Sequence, residues 1–212
     1  SFYSTSAKFN SEKKIIKAEG VHYIKVADAI IFPENNQITI LKNAEMIPLE
    51  NSKIITNAIT KYHEINNAKV KIESRKSYTG SGDYIYIDGD SVKHPVHFKE
   101  ISVNPSSETV ARAEIIADDY FPLSPKFYFR GNARLRASRK LLDFDGGFRI
   151  ADACQTGPSW IKFNSEIDPA NVMLPVEIQP ITPDINSQYK YIGVLYSQTK
   201  QKNYFHQQYL LF

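Results

Sequence analysis

The chain has 212 residues, a net charge of +3 and an apolar fraction of 42%, which is enough to close a packed core and argues against disorder. Its 26 basic and 23 acidic residues are interspersed, so no concentrated basic field marks a nucleic-acid partner. The single cysteine, Cys154, forbids an intrachain disulfide, and no apolar run approaches the ~20 residues that a membrane helix needs.

Thirteen Tyr and twelve Phe stand against two Met and one Trp, a bias toward residues that suit a pleated, half-buried surface. The expected fold is therefore all-β with little or no helix: a stacked short-strand β-jellyroll, or a β-helix-like or sandwich arrangement. Ser1 opens the chain with no basic and apolar leader, and strand-like pattern follows at once. That start is expected of a segment taken from a longer parent.

Residues 14–40 read as short strands separated by Gly20 and by Pro33-Glu34-Asn35-Asn36. A phrase then returns at Asn43, Asn51, Asn57 and Asn67, each followed by a small residue. Asn tolerates bridge and left-handed backbone at bends, so the phrase predicts rung-like strands. Tyr84, Tyr86 and Asp88 alternate with Ile85 and Ile87, which predicts a strand with two sticky faces.

Short strands are expected at residues 96–98 and 101–103, and the Ala-rich run 108–117 admits either helix or strand. The best-defined strands are residues 126–129 and 133–137. After them, Asp145-Gly146-Gly147 reads as a tight turn within a hairpin spanning 141–151. Pro175, Pro180 and Pro183 mark an extended connector, and a last hairpin is expected between Tyr189 and Tyr209. The organisation expected is a rung-like β unit over residues 1–90 and a second β unit over 91–212, or one continuous β domain.

Chemistry is sparsely signalled. His94 and His97 are three apart, which on a strand points them to opposite faces and spoils a shared metal site. Asp83, Asp88 and Asp90 surround Gly89 but lack the closing Glu of a calcium loop, so turn chemistry accounts for them. No nucleophile elbow or phosphate loop is present, and no motif ties Cys154 to a histidine. Asp118, Asp119, Asp143 and Asp145 are the carboxylates available for an acid/base pair. Arg130, Arg134, Arg136, Arg139 and Lys140 form a basic cluster expected on a solvated face. No catalytic residue, metal ligand or cofactor is assigned, and the chain is expected not to be an enzyme.

The stretch Phe129-Arg130-Gly131-Asn132-Ala133-Arg134-Leu135-Arg136-Ala137, with Leu142, Phe144 and residues 146–150, is similar to strand pairs of the organic-solvent-tolerance and lipopolysaccharide-transport β-jellyroll family. Residues 25–33 and 161–169 resemble segments of long cell-envelope proteins of the Bacteroidetes group. The first resemblance implies an open, twisted β-jellyroll with an apolar interior that takes lipid chains.

The function expected is thus a non-catalytic module of a larger, periplasmic or outer-membrane-associated protein. It would serve as a scaffold in an assembly, or as a groove for an amphipathic, lipid-like ligand lined by Phe127, Phe129, Leu135, Phe144 and Phe148. Its partners would be other segments of the parent, envelope proteins, and lipid or lipopolysaccharide. The alternative is a carbohydrate-binding or adhesive domain whose stacking surface is Tyr78, Tyr84, Tyr86, Tyr189, Tyr191 and Tyr196, since a tyrosine ring is flat and apolar with a wet tip.

Overall fold

A computed structural model describes residues 1–116, 121–151 and 160–174, together with four two-residue strands nearer the C-terminus. The fold is almost entirely β: a curled, antiparallel sheet of ten strands in sequence forms a half-barrel that packs against a smaller sheet. The small sheet is ordered β1 (Ser6–Asn10), β2 (Ile15–Glu19), β5 (Gln37–Ile40).

The large sheet starts at β3 (Ile24–Val26) and runs through β4 (Ala29–Phe32), β6 (Leu49–Thr56), β7 (His63–Ser74), β8 (Ser77–Ile87) and β9 (Lys93–Val103). It continues through β10 (Thr109–Ile115), β12 (Phe127–Arg136), β13 (Leu142–Ile150) and β14 (Ile161–Ile167). A short strand, β11 (Phe121–Ser124), pairs with the start of β12 in line with β10. Near the C-terminus β15 (Thr182–Pro183) pairs with β16 (Tyr189–Lys190), and β17 (Val194–Leu195) with β18 (Gln208–Tyr209).

Nearest-neighbour antiparallel pairing explains why hairpin grammar pervades the sequence: most strands turn straight back on the preceding one. Residue 90, taken as the divide between two β units, lies in the turn that joins the paired strands β8 and β9, near the middle of the large sheet. The repeated Asn phrase does not build stacked rungs. Asn51, Asn57 and Asn67 adopt left-handed backbone with φ of 46°, 53° and 49°. Asn51 and Asn67 fall where the β6–β7 and β7–β8 registers slip. They are bulge positions in long antiparallel strands, which bend the sheet and raise its twist.

The Ala-rich run is strand β10, because Ala111, Ala113 and Ile115 face inward while Arg112 and Glu114 face out. Period-two burial there overrides alanine's helix preference.

The hairpin placed at 141–151 is corrected to a single uninterrupted strand, β13, with Asp145-Gly146-Gly147 at its centre. The glycines serve close approach rather than a turn. Gly131 and Gly146 are cross-strand partners. A side chain on Gly146 would strike the Arg130 carbonyl, and one on Gly131, whose φ is +135°, would come within 2.5 Å of the Asp145 carbonyl. The space above the glycine pair is filled by aromatic rings: Phe129 meets Phe144 at 5.0 Å and Phe163 at 5.6 Å between centroids, in both cases edge to face.

One end of the half-barrel is laced by hydrogen bonds between distant segments. Asp28 Oδ1 accepts from the Thr109 amide at 3.0 Å and the Thr109 hydroxyl at 2.6 Å. Tyr78, fully buried, shares a 2.8 Å bond with that hydroxyl. His63 donates from Nε2 to the Arg139 carbonyl at 2.6 Å. These bonds tie the β3–β4 turn, β7 and β8 to β10 and the β12–β13 turn, so both halves of the sequence share one core.

Candidate functional site

β9 and β10 pair from Thr109↔Val103 to Arg112↔Glu100 and separate beyond that point. The gap forms a depression of about 600 Å³ between β9, the end of β10 and the start of β11. Its floor is aromatic: the Phe121 ring lies 6.0 Å from His94 and 5.4 Å from Tyr86. Lys99 and Glu114 approach to 3.5 Å across its rim.

Two imidazole–carboxylate pairs flank this depression. His94 Nε2 lies 2.8 Å from Asp88 Oδ2 on the inner face. His97 Nδ1 lies 2.7 Å from Asp83 Oδ1 on the outer, solvated face. Each carboxyl is held below its ordinary value, first by the hydrogen bond from its histidine; Asn67 adds to the effect at Asp83, and the Val92 and Asp90 amides add to it at Asp88. Those amides both reach Asp88 Oδ1 at 2.9 Å, the turn chemistry expected of this aspartate.

As spacing on a strand requires, the two histidines stand on opposite faces and do not converge on one atom. Among the described residues that line the depression there is no hydroxyl or thiol nucleophile. Among the described residues no group of three or more His, Cys, Asp or Glu side chains is placed to hold a metal ion. Of the candidate acid/base carboxylates, Asp143 and Asp145 are each engaged at 2.6 Å by Arg136 and Arg134, while Asp118, Asp119 and Cys154 lie outside the described residues.

The aromatic groove residues are brought together, but as packed core. Phe129, Leu135 and Phe144 are fully buried, Phe148 nearly so, and Phe127 half-buried. Phe127 meets Phe148 at 5.7 Å, and Phe148 meets Phe163 at 5.6 Å, both edge to face. Their rings fill one another's spaces, so the open apolar channel expected along these side chains is corrected to a closed aromatic cluster.

The tyrosine surface is corrected as well. Tyr78 and Tyr86 are buried and Tyr84 half-buried, while Ile85 and Ile87 take the outward face. The phenol groups find partners inside: Tyr86 donates to the Leu123 carbonyl at 2.8 Å. Tyr84 Oη lies 3.3 Å from His63 Nδ1. Burial raises the phenol pKa of all three. The side chains of Tyr189, Tyr191 and Tyr196 lie outside the described residues.

The basic cluster is mostly neutralised in place, Arg134 by Asp145, Arg136 by Asp143 and Arg139 by Glu166. Arg130 instead stacks 4.7 Å from the Trp160 ring centroid. Nothing in the local sequence marks His63, because only the fold brings the Arg139 carbonyl, 76 residues away, to it.

Scanned against family models, curated proteins and solved structures, the chain matches none. The class that can be stated is that of the fold: an all-β half-barrel, its interior filled by packed aromatic rings, set against a three-stranded sheet. No described helix is long and apolar enough to cross a membrane.

Proposed function

We propose that this chain is a non-catalytic β module of the cell envelope, periplasmic or outer-membrane-associated, that acts as a scaffold within a larger assembly. The observation that carries the reading is the closed interior. The Phe127, Phe129, Phe144, Phe148 and Phe163 rings pack edge to face at 5.0 to 5.7 Å, which leaves the concave face to protein atoms and the outer surface to partners. Of the two modes expected for such a module, this packing favours the scaffold over the lipid groove. The envelope placement rests on the resemblance of residues 25–33, 129–137 and 161–169 to envelope proteins.

Cross-linking in intact cells that make the tagged chain, followed by fractionation and mass spectrometry, tests this. The expected result is recovery in the envelope fraction with surface lysines cross-linked to other envelope proteins. Recovery in the cytosol without cross-linked partners would contradict it.

A further inference from the structure

Strand edges are hazards that folded proteins cover, shorten or charge. Two of the described edges here are covered. Phe2 bridges to Ile24 and the Ser1 carbonyl accepts from the Lys25 amide, which protects β3. The outer side of β5 is covered by residues 45–47, through the Ile40–Met46 bridge and the bond from the Ile47 amide to the Thr39 carbonyl. β1 is different. It pairs with β2 on one side, ends the small sheet on the other, and all five of its residues are exposed.

The face that β1 shares with its neighbours is unfinished too. Cross-strand rows run Ala7–Ala18–Ile38 and Phe9–Ile16–Ile40. In the first, Ala18 and Ile38 are buried against the body; in the second, Phe9 remains 67% exposed and Ile16 38%. The apolar face thus continues past the surface that covers it. On the opposite face Lys8 stands directly across from Lys17, a like-charge pair that costs stability. Glu19 is 3.7 Å from Lys8, and Lys17 has no carboxylate partner among the described residues. At the hairpin tip Lys13 and Lys14 outweigh the neighbouring Glu12, so the tip keeps a net positive charge.

A bare backbone edge, an uncovered apolar row on one face and paired lysines on the other are complementary to one kind of occupant. We infer that β1 is the docking edge for an extended acidic segment of another protein, which adds as a fourth strand to the small sheet with its apolar residues beside Phe9 and its carboxylates beside Lys8. Strand addition takes affinity from main-chain hydrogen bonds and selectivity from alternate side chains. Self-pairing of two copies would bring a second row of lysines to the first, and charge opposes it. This assignment rests on the scaffold reading and names the chemistry of its partner.

The test uses two synthetic eight-residue peptides, one of alternating Val and Glu and one of alternating Val and Lys, titrated into the isotopically labelled full chain and followed by amide chemical shifts. The Val/Glu peptide is expected to shift amides of residues 6–10 and to bind at least tenfold more tightly than the Val/Lys peptide. Lys8→Glu should reverse that order and Phe9→Ser should weaken both; each position is exposed, and an unchanged spectrum elsewhere verifies the fold.

Equal binding of both peptides, shifts confined to another strand, or no shifts at all would overturn the assignment, as would binding to anionic phospholipid vesicles in place of either peptide. If the edge fails in this way while cross-links to envelope proteins persist through other faces, the scaffold reading stands without it. Loss of the cross-links while the peptide still binds β1 would remove the scaffold reading instead.

Discussion

The two ends of this molecule use the same kind of residue to opposite effect. At β12–β14, Phe129, Phe144, Phe148 and Phe163 interlock and are buried. At the small sheet, Phe9 and Ile16 sit in an equally regular cross-strand row and remain open. Alternation along a strand sets which residues share a face, but coverage of that face depends on what the fold brings over it. The aromatic end holds the structure together, and the bare end is where a partner gains area.

The sharpest way to break this contrast is at the glycine pair. Gly146→Val forces a side chain into the Arg130 carbonyl, and the overpacking and strain should cost about 3 kcal/mol or more, read as a lowered denaturant midpoint or loss of the folded state. Phe144→Ala should cost about 3–5 kcal/mol, because a fully buried ring leaves a cavity. Chemical denaturation of the same variant series should show Phe9→Ala within about 0.5 kcal/mol of the parent chain.

Tyr86→Phe leaves the buried Leu123 carbonyl without its donor and should cost about 1–3 kcal/mol in the same assay. Ile87→Ser, on the outward face of that strand, should change little. A larger loss in Ile87→Ser than in Tyr86→Phe would show that the strand faces are reversed.

Acid should reach His63 first. Burial lowers its pKa below the ordinary value, opposed by the bond to the Arg139 carbonyl. The folded state therefore keeps His63 neutral while the unfolded chain takes up the proton near pH 6.5, and stability is lost as pH falls from there toward the folded pKa. Asp83, Asp88 and Glu108 are also depressed, so their contributions persist above about pH 4 and disappear below it. Unfolding free energies from denaturation curves measured from pH 8 to pH 5 should fall with a slope of up to about 1.4 kcal/mol per pH unit. His63→Gln should flatten that slope.

Local pattern carried the class of fold and little of the site. The β bias, the two-faced alternation at 84–88, the turn chemistry of Asp88 and the opposed faces of His94 and His97 all follow from the period-two geometry of a strand and are visible in the structure. What sequence could not show was nonlocal. Asp-Gly-Gly reads as a turn until Gly131 is seen opposite Gly146. Tyrosine reads as surface until the Leu123 carbonyl and the Thr109 hydroxyl are found waiting for the phenols inside. Three of the four repeated Asn, at 51, 57 and 67, mark left-handed backbone, but whether that bends a rung or bulges a hairpin depends on the register of the neighbouring strand.

The central claim, that the interior is closed and binding belongs to the outer surface, is tested most directly by native mass spectrometry of the purified chain with lipid extraction of anything retained. The expected result is the bare mass of the polypeptide, with no acyl chain or lipopolysaccharide fragment in the extract. A stoichiometric lipid adduct that is lost in Phe144→Trp, where a larger ring would occupy the interior, would contradict the account and return the half-barrel to the role of a groove.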